Sequence, residues 1–304
     1  MAEKVHPDFE TVIILGAGAL GSYYGSLLSR VIDVLLIGRA PHIEAINEHG
    51  LVVSGEIKAT HKVQASTKLT SIPEKALLMV TTKAYDLEAA VRSVRHLLRS
   101  DTTVLVLQNG LGIEAIARSM VTQGEVVRGL ASTGVELPAP GRIEVKLVRK
   151  TVFPATPTGK RLWRLFGACG LEVHLAEDME AEVWRKLVMN CVINPLSALF
   201  RVPNNAIATD HLRAVREGVV EECLNVAEAE GVVLDPSIAD EITKAAASYS
   251  NVSSMCQDIL KGRRTEIDFL NGRVVELGRR HGIATPVNDT LAHLVRFMEG
   301  RKWT

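Results

Sequence analysis

The amino-acid sequence predicts an α/β protein in which a doubly wound parallel sheet is followed by an all-helical domain. Short, apolar, β-branched runs alternate with helical segments as far as Leu175, and helical periodicity alone continues beyond that residue. The length of 304 residues supports two domains, because a single hydrophobic core seldom accommodates so long a chain. We place the first domain at residues 1–176 and the second at residues 177–304.

The first domain opens with Thr11–Leu15 (TVIIL), a continuously apolar run that is typical of a strand covered on both faces. The next predicted elements are helix Ala19–Arg30, strand Asp33–Ile37, helix Pro41–His49, strand Leu77–Thr81, helix Asp86–Leu98 and strand Thr103–Leu107. Prolines and a glycine then separate two extended runs within Val135–Leu147, which predicts a hairpin appended to the sheet.

The second domain is predicted to contain only helices, several of which are followed by a capping glycine. These helices are Glu177–Val192, His211–Glu230, Ile238–Tyr249, Ser254–Gly262, Thr265–His281 and Pro286–Glu299. The apolar stretch Leu187–Phe200 is interrupted by two asparagines and by Pro195, so it does not predict a membrane span. We expect Pro195 to end or kink the first helix at Asn194.

Composition narrows the class of function. Lysine plus arginine (35) equals aspartate plus glutamate (35), so no overall charge favours nucleic acid or an anionic membrane. The four cysteines form no CxxC pair and the nine histidines no HExxH motif, so we predict no metal and interpret the cysteines as buried apolar residues. The N-terminus lacks a signal-peptide core, and we expect a cytoplasmic protein.

A dinucleotide site is predicted by the GxGxxG sequence Gly16-Ala17-Gly18-Ala19-Leu20-Gly21, which follows a strand and opens a helix. In that context the first glycine permits a tight turn, the second admits a diphosphate and the third allows close helix packing, as in a Rossmann-type domain. A structural turn without a ligand is the alternative.

Three polar residues follow strands of the first domain. Arg39 stands at the end of the second strand, where a carboxylate would select NAD, so a guanidinium there favours the 2′-phosphate of NADP. Lys83 could add charge near that phosphate, and the amide of Asn109 could contact ribose and substrate. Ordinary surface charges at Arg39 and Lys83, and a plain Asn-Gly turn at Asn109, remain open alternatives.

A proton-donor site is suggested by Lys186, Asn190 and Asn194, which are spaced by four and therefore share one stripe of a largely apolar helix. A lysine ammonium can polarise a carbonyl and then protonate its oxygen, which is what reduction of a 2-oxo acid requires. The alternatives are a structural ion pair between Lys186 and Glu182, and interhelical hydrogen bonds from the two amides.

The sequence offers a purely structural role, at the start of a helix, for both Ser254 and Glu266. Ser254 and Gln257 have the spacing of a capping box, and Glu266 falls in the first turn of the helix predicted from Thr265.

Together these segments resemble the ketopantoate reductase family over Thr11–Phe297. The most specific matches are Glu182–Lys186, Asn190–Leu196, Asn251–Asp258, Arg264–Asp268 and His281–Ile283 with Pro286. The resemblance implies NADPH-dependent reduction of 2-dehydropantoate to pantoate, in pantothenate and coenzyme A biosynthesis. Residues 1–10 extend beyond the family's usual start, and we interpret them as a mobile tail.

The resemblance also implies roles for individual residues. It makes Lys186 the general acid, with Glu266 beside it and the cofactor, and it adds Val135 to the cofactor residues. The residues implied to line the substrate or ribose are Asn109, Lys186, Asn190, Asn194, Asn204, Asn251 and Ser254. The expected partner is a small 2-oxo acid, without nucleic acid or membrane, and a homodimer is possible. Reduction of another branched 2-oxo acid, or non-catalytic binding of NADPH, are the alternative functions.

Overall fold

The computed structural model describes residues 8–301, and the chain divides into two compact units. The first unit holds the described residues up to Gln108 together with Gly112–Glu177. The second holds Asn109–Leu111 and the described residues from Asp178 onward. Sequence patterns placed Asn109 in the first domain, whereas its contacts assign it to the helical unit. Within residues 8–301, no helix combines the length and apolarity needed to cross a bilayer.

The strands all lie in the first unit. They are β1 Thr11–Leu15, β2 Asp33–Ile37, β3 Leu51–Gly55, β4 Ala59–His61, β5 Gln64–Ser66, β6 Ala76–Val80, β7 Thr103–Val106, β8 Glu125–Arg128, β9 Leu130–Ala131, β10 Gly134–Ala139, β11 Arg142–Leu147, β12 Thr151–Pro154 and β13 Val173–Ala176. Six of them form a wholly parallel sheet in the order β5-β2-β1-β6-β7-β8. The order reverses between β1 and β6, the point at which such sheets bind ligands.

The predicted hairpin exists, but it is not appended to the parallel sheet. Strands β10 and β11 pair antiparallel and join β3 and β4 in a separate four-stranded sheet, and β13-β12-β9 form a third. The helices of this unit are α1 Ala19–Leu28, α2 Ala40–His49, α3 Leu87–Val94, α4 Ile113–Met120 and α5 Pro157–Ala168. The predicted fold class, a doubly wound parallel sheet followed by a helical region, is confirmed.

The chain packs against the first unit from Asp8 onward, within the ten-residue segment that was predicted to be a mobile tail. Residues 1–7 lie outside the described part of the chain, but Phe9 is buried, with the Arg161 guanidinium 4.5 Å from its ring centroid. Asp8 forms an ion pair with Arg164, in which the two closest atoms are 2.8 Å apart. The prediction of a mobile tail is therefore wrong for residues 8–10, because an aromatic ring and a carboxylate both find partners on α5.

The second unit is helical, as predicted. Its α-helices are α6 Met179–Phe200, α7 Arg213–Ala229, α8 Ile238–Ser248, α9 Ser254–Leu260, α10 Asn271–His281 and α11 Pro286–Met298. The helix predicted from Thr265 begins only at Asn271, since a single 3₁₀ turn, Ile267–Phe269, precedes it. The carboxylate of Glu266 therefore lies outside α10, and the proposed helix-end role does not apply to it.

Helix α6 continues through Pro195, so the expectation that the helix ends at Asn194 is wrong. Proline has no backbone N–H, so the carbonyl of Cys191, four residues earlier, loses its helical donor. The side-chain amide of Asn271 replaces that donor and lies 3.0 Å from the Cys191 oxygen. A residue 80 positions along the chain thus satisfies the carbonyl left by the proline, and the helix remains intact.

Candidate active site

The glycines of the GxGxxG loop differ in what surrounds them. A Cβ at Gly16, whose φ is +107°, would lie 2.7 Å from the Thr82 nitrogen, and one at Gly21 would lie 2.6 Å from the Gly16 oxygen. Both positions therefore require glycine for packing. A Cβ at Gly18 would meet only the Gly16 oxygen, at 3.9 Å. The backbone at Gly18 thus borders open space, which fits the approach of a diphosphate.

The N-terminus of α1 supports this assignment. Its N-cap, Gly18, supplies no side-chain hydrogen bond. Among the residues that the structure describes, no protein acceptor faces the backbone N–H groups of Ala19, Leu20 and Gly21. Unsatisfied N–H groups at a helix N-terminus favour an anion. The loop therefore fits a dinucleotide, with the N–H groups at Ala19 to Gly21 available for its diphosphate.

The other predicted cofactor residues of this unit occupy the carboxyl ends of strands or the hairpin. Arg39 is exposed at the N-cap of α2, two residues after β2, and Lys83 is half-buried three residues after β6. Val135 is half-buried on β10 opposite Val145. Sequence reasoning missed Thr81, whose hydroxyl donates to the Gly16 oxygen at 2.9 Å. The position of Thr81 directly after β6 could have indicated this role from the sequence.

Helix α2, which presents Arg39, is anchored by a buried histidine. The Nδ1 of His42 accepts the Gly141 N–H at 2.9 Å, so the ring proton lies on Nε2 and can bond the Ser22 hydroxyl, also at 2.9 Å. Burial, and secondarily the charge of Arg39, lower the pKa of His42. The structure therefore requires the neutral ring at this position.

The predicted stripe of Lys186, Asn190 and Asn194 lies on α6. That helix starts where the Asp178 carboxylate accepts the Ala181 N–H at 2.9 Å. Lys186 and Asn190 are half-buried and Asn194 is buried. Within the described part of the chain, neither asparagine side chain forms a hydrogen bond. Polar amides without protein partners, next to the buried apolar residues Cys191–Ile193 of the same helix, are suited to a ligand.

Two other predicted asparagines lie next to each other. The Asn204 backbone N–H donates to the Asn251 carbonyl at 3.0 Å, and its side-chain amide lies 3.5 Å from Asn251 Oδ1. Asn204 is buried, and its Oδ1 has no partner among residues 8–301. Ser254 is exposed at the first turn of α9.

The predicted capping box at Ser254 is wrong by one residue. The N-cap of α9 is Ser253, whose hydroxyl accepts the Cys256 N–H at 3.1 Å. The Gln257 amide donates instead to the Val252 carbonyl. Either serine of the tandem pair could cap a helix on sequence grounds, so sequence alone could not choose between them. Ser254 is consequently released from capping and keeps its hydroxyl available.

Asn109 and Glu266, 157 residues apart, form the remaining pair. Asn109 Nδ2 donates to a Glu266 carboxylate oxygen at 3.3 Å. The turn at Gly110, φ +99°, makes this possible, because a Cβ there would lie 2.3 Å from the Phe269 oxygen. The Leu111 N–H donates to the same oxygen at 3.2 Å. The bend at Asn109-Gly110 thus places Asn109 against a buried carboxylate.

Comparison with known proteins gives a match over most of the chain. The family model described as ketopantoate reductase PanE/ApbA matches residues 12–158, and the model of its C-terminal part matches residues 178–299. The 2-dehydropantoate 2-reductase of Pyrococcus horikoshii is 36% identical over 95% of this chain and 97% of its own length.

Solved structures are similar over the same extent. The PanE/ApbA family ketopantoate reductase from Ralstonia eutropha has a TM-score of 0.87 and 33% identity, covering 95% of this chain and 98% of its own. A ternary structure of D-mandelate dehydrogenase with NADH and anilino(oxo)acetate also has a TM-score of 0.87, with 28% identity and the same coverage.

Proposed function

Since the chain belongs to the ketopantoate reductase family, a family of oxidoreductases, we propose that it reduces 2-dehydropantoate to pantoate with NADPH, with Lys186 as proton donor. The observation that carries the proposal is the stripe on α6, where Lys186 shares one helix face with Asn190 and Asn194. The amides of these two asparagines form no hydrogen bond with the described part of the protein. This donor set matches a small acid with a carbonyl and a carboxylate.

Each residue has a defined task in the proposed reaction. The nicotinamide of NADPH, when bound, supplies the hydride that adds to C2 of the 2-oxo acid. The Lys186 ammonium polarises the C2 carbonyl and transfers its proton to the oxygen as negative charge develops there. Asn190 and Asn194 donate to the substrate's oxygens, and Asn204, Asn251 and Ser254 bind its polar end. Glu266 orients Asn109 through the hydrogen bond between them.

The preference for NADPH rests on Arg39. Its guanidinium is exposed at the end of β2 and, among the described residues, forms no ion pair. A guanidinium binds a phosphate through charge-assisted, bidentate hydrogen bonds, so Arg39 favours a 2′-phosphate over a free hydroxyl. Lys83 adds positive charge at the end of β6. A structural relative was solved with NADH, so the competing proposal is a cofactor without that phosphate.

A second candidate function is reduction of another branched 2-oxo acid. It is favoured by the similarity to D-mandelate dehydrogenase, which covers 95% of this chain. Both candidates use the same proton donor, and they differ in which substrate side chain the pocket accepts.

The test is to measure oxidation of NADPH, and of NADH, by the purified protein with a panel of 2-oxo acids. We expect the highest kcat/KM with 2-dehydropantoate and NADPH. Its deoxy analogue should be poorer by up to about 10⁴-fold if the site bonds the substrate hydroxyl. A better acid in the panel would support the second candidate. Cofactor binding without turnover of any acid would refute a reductase function.

A further inference from the structure

We propose that the buried hydroxyls of Ser197 and Ser253 are positioning residues of the 2-oxo acid site. Their Oγ atoms are 2.6 Å apart, and both side chains are buried. Ser197 lies on α6, which carries Lys186, and Ser253 lies in the segment that carries Asn251. The inference rests on the proposed function, because it takes the residues of these two segments as substrate ligands.

On the α6 side, Ser197 stands three residues after Asn194. Its hydroxyl donates to the Asn194 carbonyl at 3.1 Å. A serine hydroxyl has a single hydrogen, so the network closes when the Ser253 hydroxyl donates to Ser197 Oγ. The turn of helix that presents the Asn194 amide is therefore tied directly to Ser253.

On the other side, Ser253 separates two predicted substrate ligands. Asn251 precedes it by two residues and Ser254 follows it directly. Ser253 also accepts the Cys256 N–H, which fixes the start of α9. Since the Asn204 N–H donates to the Asn251 carbonyl, a shift of this segment would move three proposed ligands together.

The pair is a polar contact within an apolar core. The neighbours of both serines, including Leu196, Ala198, Met255 and Cys256, belong to the buried apolar core of the second unit. Replacing both serines by alanine would leave no unpaired hydroxyl in this core, but it would also remove the α9 cap that Ser253 supplies. A hydrogen bond, unlike an apolar contact, fixes the distance and direction between two segments. The pair is thus suited to hold the ligands of α6 and of residues 251–254 in register.

The decisive variant is Ser197→Ala, which removes the bond between the segments and leaves the α9 cap in place. We expect KM for the preferred 2-oxo acid to rise about 10-fold, since small displacements of substrate-binding groups carry large penalties. The dissociation constant of NADPH should stay unchanged. Amide hydrogen exchange should accelerate at residues 251–256. In the double variant with Ser253→Ala, kcat/KM should fall no further than in Ser253→Ala alone.

Ser26→Ala is the matched control. Ser26 is also buried in a helix, and its hydroxyl donates to the carbonyl three residues earlier, at Tyr23, over 2.8 Å. It should leave KM for the acid at the wild-type value. This inference alone would be overturned if the wild-type enzyme is active and Ser197→Ala has the same KM for the acid. Unchanged amide hydrogen exchange at residues 251–256 in Ser197→Ala would also overturn it. A wild-type protein that reduces no acid would instead refute the proposed function.

Discussion

At the scale of single residues, two glycines of one loop have different physical reasons to be glycine. Gly21 packs against backbone, and a Cβ there would lie 2.6 Å from the Gly16 oxygen. Gly18 has a φ of −90°, which any residue can adopt, and a Cβ there would enter open space. The first is a packing requirement, whereas the second is a requirement of the proposed ligand.

This difference predicts opposite results for two alanine variants. Gly18→Ala should keep the wild-type Tm and raise the dissociation constant of NADPH by about 10- to 100-fold, because the methyl group occupies the approach of the diphosphate. Gly21→Ala should lower the free energy of unfolding by about 1–3 kcal/mol through overpacking. Thermal unfolding and NADPH fluorescence titration measure both quantities. NADPH binding as tight in Gly18→Ala as in the wild type would argue against a diphosphate site at Gly18.

At the scale of elements, the continuity of α6 depends on a side chain from another helix. Asn271 is fully buried and donates to the Cys191 oxygen and, at 2.9 Å, to Asn288 Oδ1. The same helix carries Lys186, Asn190 and Asn194, so its geometry on both sides of Pro195 matters for the proposed site.

Asn271→Ala should therefore destabilise the protein by about 2–3 kcal/mol, because it leaves buried acceptors without donors. Adding Pro195→Ala should recover about 1 kcal/mol of that loss, since the restored backbone N–H can bond the Cys191 oxygen. In the protein that retains Asn271, Pro195→Ala should bring no such gain in stability. Denaturant unfolding gives the free energy of unfolding of the wild type, the two single variants and the double variant, which together form a double-mutant cycle. Equal effects of Pro195→Ala in both backgrounds would show that Asn271 is not the substitute donor.

Helix α2 adds a pH dependence. The His42 pKa is lowered in the folded protein, so the unfolded chain binds more protons just below the ordinary histidine pKa of about 6.5. The stability that the neutral ring contributes is present above that pH and is lost as pH falls through it. The free energy of unfolding should thus fall more steeply between about pH 7 and 5 in the wild type than in His42→Gln. If the free energy of unfolding of the wild type and of His42→Gln changed equally with pH, the requirement for a neutral ring would be contradicted.

At the scale of the whole molecule, the parts that follow from local pattern were predictable. Thr11–Leu15 and Asp33–Ile37 match observed strands at both ends, because apolar β-branched runs next to a glycine turn have few other structures. The spacing of Lys186, Asn190 and Asn194 on one helix also follows from sequence. Such features depend only on neighbours within a few residues.

The parts that were not predictable depend on contacts between distant residues. Pro195 stays within a helix because of Asn271, and Asn109 contacts Glu266 because Gly110 brings it against Phe269. Ser253, the N-cap of α9, is also hydrogen-bonded to Ser197, 56 residues earlier. No short window of sequence contains both members of these pairs.

The most direct test of the central claim is the turnover of Lys186→Ala with the preferred 2-oxo acid and NADPH. The matched control is Lys244→Ala, which removes an exposed lysine from α8 of the same unit. If Lys186 donates the proton, its replacement should lower kcat by about 10²- to 10⁴-fold with NADPH still bound, and the control should keep the wild-type rate. Full turnover by Lys186→Ala would contradict the account.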